Sequence, residues 1–410
     1  MKDKLYWDDA YTLKFEAEIV NRVDTDNALG LVLSGTYFYP EGGGQPADKG
    51  SLAEAPLLNV QEVDGRIVHY IAASAASQDE FNTGANILGV VDSDNRKQNM
   101  RAHTGAHLLF GAARKLFSKL EYAGFDIHAG GGSLYLETDS SITPGLMHSI
   151  LERANGAVVD DLSVGTYFVK PEQVADIPGC VWNVKLPPDQ VRIVEIDGWD
   201  VAVCSGTHLG KTIEVGPLGI TNRETHKKGV TRLDYLVGRA AVNHFTAGER
   251  AMGEMGSILN TARDELTSAA TRMVNAVQEE QKRARKLQDQ LAGYRLQELL
   301  AGGETVGETT LITGIVPDVN QKALQPLVAR ALKEREKTIV ALVGTGEKVF
   351  IVAGRSDDLD HDMREPVVAV ARQHGGGGGG APHLLSAGGI TSPAEQVLAD
   401  LKAAILPALA

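Results

Sequence analysis

Cysteine is scarce in this chain of 410 residues, which contains only Cys180 and Cys204. Two thiols in so long a chain exclude the disulfide framework of small secreted proteins and indicate a reducing compartment. An apolar leader is missing from the first nine residues, and no apolar run approaches the roughly 20 residues of a membrane-spanning helix. We therefore expect a cytoplasmic protein with no membrane association. The run at 180–182 is apolar, so Cys180 is interpreted as a buried structural thiol.

Positive charge is also in short supply, since the net charge is -13. The first 208 residues contain 16 Lys and Arg against 29 Asp and Glu, and the remainder is balanced at 24 each. One segment, 221–239, is nevertheless locally basic. It contains Arg223, Lys227, Lys228, Arg232 and Arg239. Such a segment can bind phosphates or can be a solvated surface, and charge alone does not decide between them.

Two short pairs of metal-binding residues stand out against this background. They are His103 with His107, and Cys204 with His208. Histidines at i and i+4 project from one helical face about 5–6 Å apart, and the Ala- and Leu-rich residues 102–117 predict that helix. A histidine pair alone is more often packing or surface. One thiolate and three imidazoles together form a ligand set that favours zinc, so we predict one Zn²⁺ per chain.

The chain is expected to have an α+β fold in four parts. Residues 1–95 contain short strand-like runs separated by turns and predict a small β-barrel. Residues 96–245 mix helix and strand and would form the zinc-bearing α+β domain. Residues 246–303 are helical, and residues 304–410 form an α/β domain.

The helical part, 246–303, lacks proline from Gly248 to Leu300 and has an apolar stripe that ends in Leu287, Leu291 and Tyr294. This spacing predicts a coiled coil or a helical hairpin. It could form a homodimer interface, or it could be a spacer whose stripe packs only on itself.

The C-terminal part has β-type runs at 310–316, 338–344 and 348–353, with helices expected at 320–336 and 391–408. Six glycines, Gly375 to Gly380, stand near its end. Their N–H groups could surround an anion or allow a nucleic-acid backbone to approach. Composition alone favours a flexible loop.

Three motifs together resemble the editing region of alanyl-tRNA synthetases, in the same order and with similar spacing. They are Thr36-Tyr-Phe-Tyr-Pro-Glu-Gly-Gly-Gly-Gln45-Pro-Ala-Asp-Lys-Gly50, His103-Thr-Gly-Ala-His107-Leu-Leu109 and Cys204-Ser-Gly-Thr-His208-Leu209. With the helical and glycine-rich parts included, the chain resembles the long form of the free-standing alanyl-tRNA editing proteins, AlaX-L. No room precedes the first motif for an aminoacylation core, so ligation is not expected.

The resemblance implies a zinc-dependent deacylase that acts in trans on tRNA(Ala) mischarged with serine or glycine. It places the zinc on His103, His107, Cys204 and His208. Gly42, Gly43 and Gly44 would let the chain approach the terminal adenosine or the ester, although a tight structural turn is a competing explanation. Gly375, Gly376, Gly377 and Gly378 would contact the tRNA backbone in a domain that grips the outer corner of the tRNA.

One feature of the ligand set favours a different function. Four protein ligands that bind together give a closed zinc shell, which is typical of structural sites. Thr104 also stands where zinc peptidases of the His-Glu-x-x-His type have their glutamate, so the usual base is missing. A water at the metal or a ribose hydroxyl would have to handle the proton. The alternative is a non-catalytic tRNA-binding module with a structural zinc.

A deacylase of this kind must cleave seryl-tRNA(Ala) and spare alanyl-tRNA(Ala). Size exclusion cannot achieve this, because alanine has the smaller side chain. A site that hydrogen-bonds the serine hydroxyl can, because alanine leaves its polar groups unpaired. The resemblance suggests Thr36 for this role, with Gln45 as a second donor; a threonine that merely ends a strand is the competing explanation. His128 follows the predicted helix of His103 and His107 closely in sequence, and it is expected at the surface or in the core rather than in the substrate pocket.

We predict that Thr36→Val raises the cleavage of alanyl-tRNA relative to seryl-tRNA, or suppresses seryl-tRNA cleavage, because it removes the hydroxyl and keeps the shape. The ratio of the two deacylation rates is the measurement. An unchanged ratio would exclude Thr36 from selection.

Overall fold

The computed structural model describes residues 3–25, 27–74, 79–138 and 141–409. The chain divides into two compact units, Met1–Met255 and Gly256–Ala410, and each is described by itself. Across the described ranges, no helix combines the length and the apolar character needed to cross a membrane. The α+β class is confirmed, because sheets and helices are mixed along the whole chain.

The first unit begins with a seven-stranded antiparallel sheet. Its strands are β1 (Lys14–Asp24), β2 (Ala28–Leu33), β3 (Gly50–Leu52), β4 (Ala55–Pro56), β5 (Asn59–Val63), β6 (Arg66–Ala72) and β7 (Asn86–Val91). The hydrogen-bonded order is β4-β3-β7-β1-β2-β6-β5, with β4 and β5 at the ends. The predicted small barrel is not confirmed, because this order of the described strands does not close on itself. Strand β2 is a continuous apolar run and is buried on both faces.

Two further sheets and three helices complete the first unit. The helices are α1 (Ser93–Arg114), α2 (Pro144–Val159) and α3 (Gly238–Leu259). The strands are β8 (Leu120–His128), β9 (Gly131–Thr138), β10 (Val164–Val169), β11 (Val191–Ile196), β12 (Asp200–Val203), β13 (Leu218–Lys227) and β14 (Val230–Val237). They form two antiparallel sheets with the orders β10-β11-β12 and β13-β14-β9-β8.

Helix α1 is the central element of this part. Its N-terminus is capped by Asp92, whose side chain accepts hydrogen bonds from the N–H groups of Asp94 and Asn95. The helix is buried almost all round from Ala102 to Ala113. Small residues permit this packing: a Cβ on Gly105 would lie 2.9 Å from a methyl of Val237.

A buried ion pair ties α1 to the segment that contains the Gly-rich motif. The Nε of Arg96 lies 3.1 Å from both carboxylate oxygens of Asp48, and its Nη2 bonds to the same carboxylate. The remaining guanidinium donors bond to the carbonyls of Ala10 and Tyr37. Arg96 is only 1% exposed, so this charge depends entirely on its protein partners.

The second unit is a six-stranded sheet between two helical layers. Its helices are α4 (Leu266–Ala301), α5 (Gln321–Lys333), α6 (Arg364–Gln373) and α7 (Ala394–Ile405). Its strands are β15 (Glu304–Val306), β16 (Thr309–Val316), β17 (Thr338–Thr345), β18 (Val349–Arg355), β19 (Gly377–Ala381) and β20 (Leu384–Ile390), in the order β15-β16-β17-β18-β20-β19. Only β16 and β17 are parallel, and α5 connects them. One core lies against α6 and α7, and another against α4 and α5.

The sequence-based expectations for this unit were incomplete in two places. Residues 364–373 form a helix that was not predicted. The glycine run is not simply a loop, because β19 pairs with β20 at the sheet edge. The end of the predicted stripe on α4 is exposed: Leu291 is 61% exposed and Tyr294 73% exposed, whereas Leu296 is buried in the core. The coiled coil or hairpin that the stripe indicates stays a prediction.

We predict that Arg96→Met destabilises the protein by about 3–5 kcal/mol, because it leaves the buried Asp48 carboxylate without its cation. Chemical denaturation, monitored by circular dichroism, measures this change. Lys282→Met is the control, since Lys282 forms a solvent-exposed ion pair with Glu279 and should have no measurable effect. Equal stability of the two variants would contradict the prediction.

Candidate metal centre

The two ligand pairs, His103 with His107 and Cys204 with His208, meet in the first unit. The donor atoms of all four side chains lie within 4.8 Å of one another. The Sγ of Cys204 is 3.2 Å from the Nε2 of His103 and 3.3 Å from the Nε2 of His208. One thiolate and three imidazoles at this spacing could hold a metal ion, and the donor set is compatible with zinc.

Each pair has a different structural support. His103 and His107 lie one turn apart on α1, and their rings stack with centroids 5.5 Å apart. Cys204 directly follows β12, and His208 follows four residues later in an irregular loop. A rigid helix thus presents one half of the site and a short loop presents the other.

Each imidazole is oriented through its outer nitrogen. The Nδ1 of His103 lies 2.8 Å from the Oε1 of Gln45, and the Nδ1 of His107 lies 2.8 Å from a carboxylate oxygen of Asp200. The Nδ1 of His208 lies 3.3 Å from the hydroxyl oxygen of Thr104. When the rings are neutral, Nδ1–H donation to these three oxygens leaves every Nε2 lone pair directed at the centre, which is the arrangement that metal-binding histidines require.

The backbone of the Cys204–His208 loop is held by distant side chains. The Nη1 of Arg192 donates to the carbonyls of Cys204 and Gly206, at 2.9 Å each. The indole nitrogen of Trp7 donates to the carbonyl of Ser205 at 2.8 Å. Three successive carbonyls are thus satisfied without secondary structure, which fixes the loop.

Gln45 connects this loop to the histidine helix. Its Oε1 accepts both from His103 and from the N–H of Thr207, and its Nε2 donates to the Thr207 hydroxyl at 2.9 Å. A Cβ on Gly206 would lie 2.1 Å from the ring of His103, so glycine is required at that position. The glutamine is therefore a structural partner of the ligands in this fold.

The Gly-rich turn places the Gln45 side chain beside His103 and Thr207. Gly43 and Gly44 have φ values of +56° and +80°, which favour glycine. A Cβ on Gly44 would lie 2.2 Å from the carbonyl oxygen of Phe125 on β8, and the Gly44 carbonyl accepts from the N–H of Ile127. The competing explanation of a tight structural turn is thus supported by the geometry.

The charges of the cluster favour a thiolate. Burial alone would raise the pKa of the Cys204 thiol, but the adjacent imidazoles of His103 and His208 and the hydrogen bonds from the imidazoles hold that pKa well below its ordinary value. Burial would lower the pKa of His107, but its hydrogen bonds to Asp200 and Cys204 outweigh this and raise the pKa to about 10. Burial lowers the pKa of His208 well below its ordinary value.

A small cavity of about 40 Å³ opens beside Cys204 and His107. Much of its wall is aromatic, and the aromatic residues are Phe110, Tyr122, Phe125 and Trp182. This wall was not predicted from the sequence. Cys180 was expected to be a buried structural thiol, but it is only half-buried, and Trp182 is 42% exposed at the cavity. A tryptophan that the fold leaves exposed is a signal of binding, but exposure is not visible in sequence.

Thr36 lies in the core of the N-terminal sheet and is 2% exposed. Its hydroxyl donates to the Nε2 of His69 at 2.8 Å and accepts from the N–H of Phe38. The Nδ1 of His69 donates to the Leu31 carbonyl, and burial lowers the pKa of His69 to about 4, so that ring is neutral. A selecting role for Thr36 would require its hydroxyl to exchange the bond to His69 for one to substrate.

The remaining candidates lie elsewhere. His128 is exposed at the end of β8, as expected. In the basic segment, Arg232 is paired with Glu224 and Asp234, and Arg223 donates to the Ile142 carbonyl. The glycines at 375–378 belong to the second unit, where they lead into and begin the edge strand β19.

Three family models match the chain. "tRNA synthetases class II (A)" matches residues 5–95, the "Threonyl and Alanyl tRNA synthetase second additional domain" matches residues 191–234, and the "DHHA1 domain" matches residues 308–407. The first covers the seven-stranded sheet, the second contains Cys204 and His208, and the third covers most of the second unit.

The curated relatives are alanine–tRNA ligases. The ligase of Pyrococcus abyssi is 32% identical over 375 residues, which are 90% of this chain and 40% of the ligase. The ligase of Thermococcus kodakarensis is 31% identical over 378 residues, which are 90% of this chain and 40% of that ligase. The ligase of Methanopyrus kandleri is 29% identical over 360 residues, which are 86% of this chain and 39% of that ligase. The chain therefore spans about two fifths of the length of these relatives.

A solved structure, the C-Ala domain of Aquifex aeolicus alanyl-tRNA synthetase, is 26% identical and covers 25% of this chain and 97% of that domain. Its TM-score of 0.24 is too low to support a fold argument. The family models and the ligases agree with the three motifs, and the chain is related to alanyl-tRNA synthetases over about 90% of its length.

Proposed function

We propose that this protein is a zinc-dependent deacylase that hydrolyses mischarged tRNA(Ala). Its main substrate would be seryl-tRNA(Ala), and glycyl-tRNA(Ala) would be a second substrate. The observation that carries the proposal is the ligand cluster, which borders a cavity of about 40 Å³, in a chain related to alanine–tRNA ligases.

The four ligands would hold the ion and their outer partners would fix its geometry. Bound Zn²⁺ would supply Lewis acidity for an ester carbonyl or a water. The side chains offer little general base catalysis: Thr104 is engaged by His208 and Leu209, and the only carboxylate in the described wall, Asp200, bonds to His107 and Arg114. A ribose hydroxyl or a water would therefore take the proton.

The closed ligand set supports the alternative, a non-catalytic tRNA-binding module with a structural zinc. The Nδ1 atoms of all three imidazoles are bonded to partners that hold the rings in place, as the ligands of structural zinc usually are. The two proposals differ in one property. The deacylase releases serine from seryl-tRNA, whereas the binding module holds the same tRNA unchanged.

The second unit would bind the tRNA through its glycine strand. A Cβ added to Gly377 or Gly379 would have no other atom within 4 Å. Strand β19 is an exposed edge of the sheet. An edge without side chains lets a nucleic-acid backbone approach the N–H groups closely. The exposed apolar residues of α4, Leu287, Leu291 and Tyr294, support a homodimer through that helix.

We predict that Cys204→Ala abolishes the release of serine from seryl-tRNA(Ala) and lowers the zinc content, while the circular dichroism spectrum is retained. The matched control is Cys180→Ala, because Cys180 is the other thiol and lies outside the cluster. Metal analysis and deacylation are measured on both variants. Full activity of Cys204→Ala would remove the zinc mechanism.

We also predict that Gln45→Met weakens zinc binding by about 10- to 100-fold, because His103 loses the acceptor that orients it. Competition with a chromogenic chelator measures the affinity. Gln61→Met is the control at an exposed position on β5. Unchanged affinity in the Gln45 variant would show that this hydrogen bond does not support the metal.

A further inference from the structure

The cavity beside the candidate metal centre contains few polar groups that are available to form a hydrogen bond with a substrate. Asp200 uses one carboxylate oxygen for His107 and the other for Arg114. His107 and Cys204 are members of the ligand cluster, and the hydroxyl of Thr36 is engaged by His69 and Phe38. Asn183 also lines the cavity, but it is exposed. Selection of serine against alanine needs a polar group held in the cavity wall, which these residues do not supply.

Tyr122 carries such a group. Its ring lines the cavity together with Cys204, and it packs against Phe110 and Phe125 with centroids 5.4 Å and 6.1 Å away. The side chain is half-buried, and its hydroxyl forms no hydrogen bond with any residue in the described part of the chain. The hydroxyl is not among the fully buried unpaired atoms of the described residues, so a molecule in the cavity can reach it. An accessible tyrosine hydroxyl that has no protein partner at a cavity is available to a ligand.

A β-bulge directs this side chain into the cavity. Tyr122 and Phe125 are three residues apart on β8 and would face opposite sides of a regular strand. The β8–β9 register shifts between Tyr122 and Gly124, where Gly124 has a φ of +130°. Tyr122 then pairs with Leu136 and Phe125 with Leu134, so both rings lie on the core face of the sheet. Bulges often re-aim a side chain next to a functional site.

We propose that Tyr122 is a specificity-determining residue whose hydroxyl hydrogen-bonds the side-chain hydroxyl of a seryl ester in the aromatic cavity. The inference rests on the proposed deacylase function. An alanyl ester would leave the phenol hydroxyl unpaired beside a methyl group, and a glycyl ester would not reach it. The class of ligand is thus a small hydroxyl-bearing aminoacyl group.

Tyr122→Phe removes only this hydroxyl, and its effect is measured as deacylation of seryl-, glycyl- and alanyl-tRNA(Ala). We expect cleavage of the seryl ester to fall by about tenfold while glycyl-tRNA cleavage is unchanged. Tyr135→Phe is the control, since Tyr135 packs against His226 and does not line the cavity. An equal loss for the seryl and glycyl esters, or an unchanged seryl rate, would overturn the proposal.

A binding measurement tests the residue apart from turnover. The probes are 3′-seryl-amido-3′-deoxyadenosine and its alanyl counterpart, titrated into the zinc-loaded full chain. The unaltered protein should bind the seryl probe about tenfold more tightly, and Tyr122→Phe should bind both equally. Equal binding of both probes by the unaltered protein contradicts the role of Tyr122 but leaves the deacylase proposal intact if seryl-tRNA is still cleaved. Failure of both tRNA cleavage and probe binding overturns both.

Discussion

The irregular loop from Cys204 to His208 must present two of the four candidate metal ligands without any secondary structure of its own. Its carbonyls therefore depend on hydrogen bonds from Arg192 and Trp7, and its Thr207 N–H depends on Gln45. These side chains come from separate segments of the first unit, so the loop acquires its geometry only when the segments pack together. The metal centre is a property of the folded unit rather than of either ligand pair.

This dependence explains why three distant motifs occur together. The Gly-rich turn provides Gln45, which orients His103 and holds the loop, and the buried Arg96–Asp48 pair fixes the same segment to α1. Gly44 and Gly206 are glycines because a side chain would collide with Phe125 and His103. The glycines thus act mainly by allowing close packing around the metal site, and the cavity beside it is lined by other residues.

The convergence of the four candidate ligands was predictable because a helix forces i and i+4 onto one face and because thiolate and imidazole have few other reasons to recur at such spacing. The aromatic wall was not, since Tyr122 and Phe125 share a face only through a bulge that strand periodicity does not show. Thr36 was identified by motif, but its bond to His69 depends on sheet packing. Composition likewise suggested a loop for the glycine run, where pairing with β20 makes part of it a strand.

The central claim is that a metal held by these four side chains cleaves a mischarged tRNA. The most direct measurement is the release of serine, glycine and alanine from tRNA(Ala) by the unaltered chain, before and after chelation and again after addition of one equivalent of Zn²⁺. The account predicts that serine release stops with the chelator and returns with zinc, while alanyl-tRNA is spared throughout. Serine release that persists without metal, or none from the zinc-loaded chain, would contradict it.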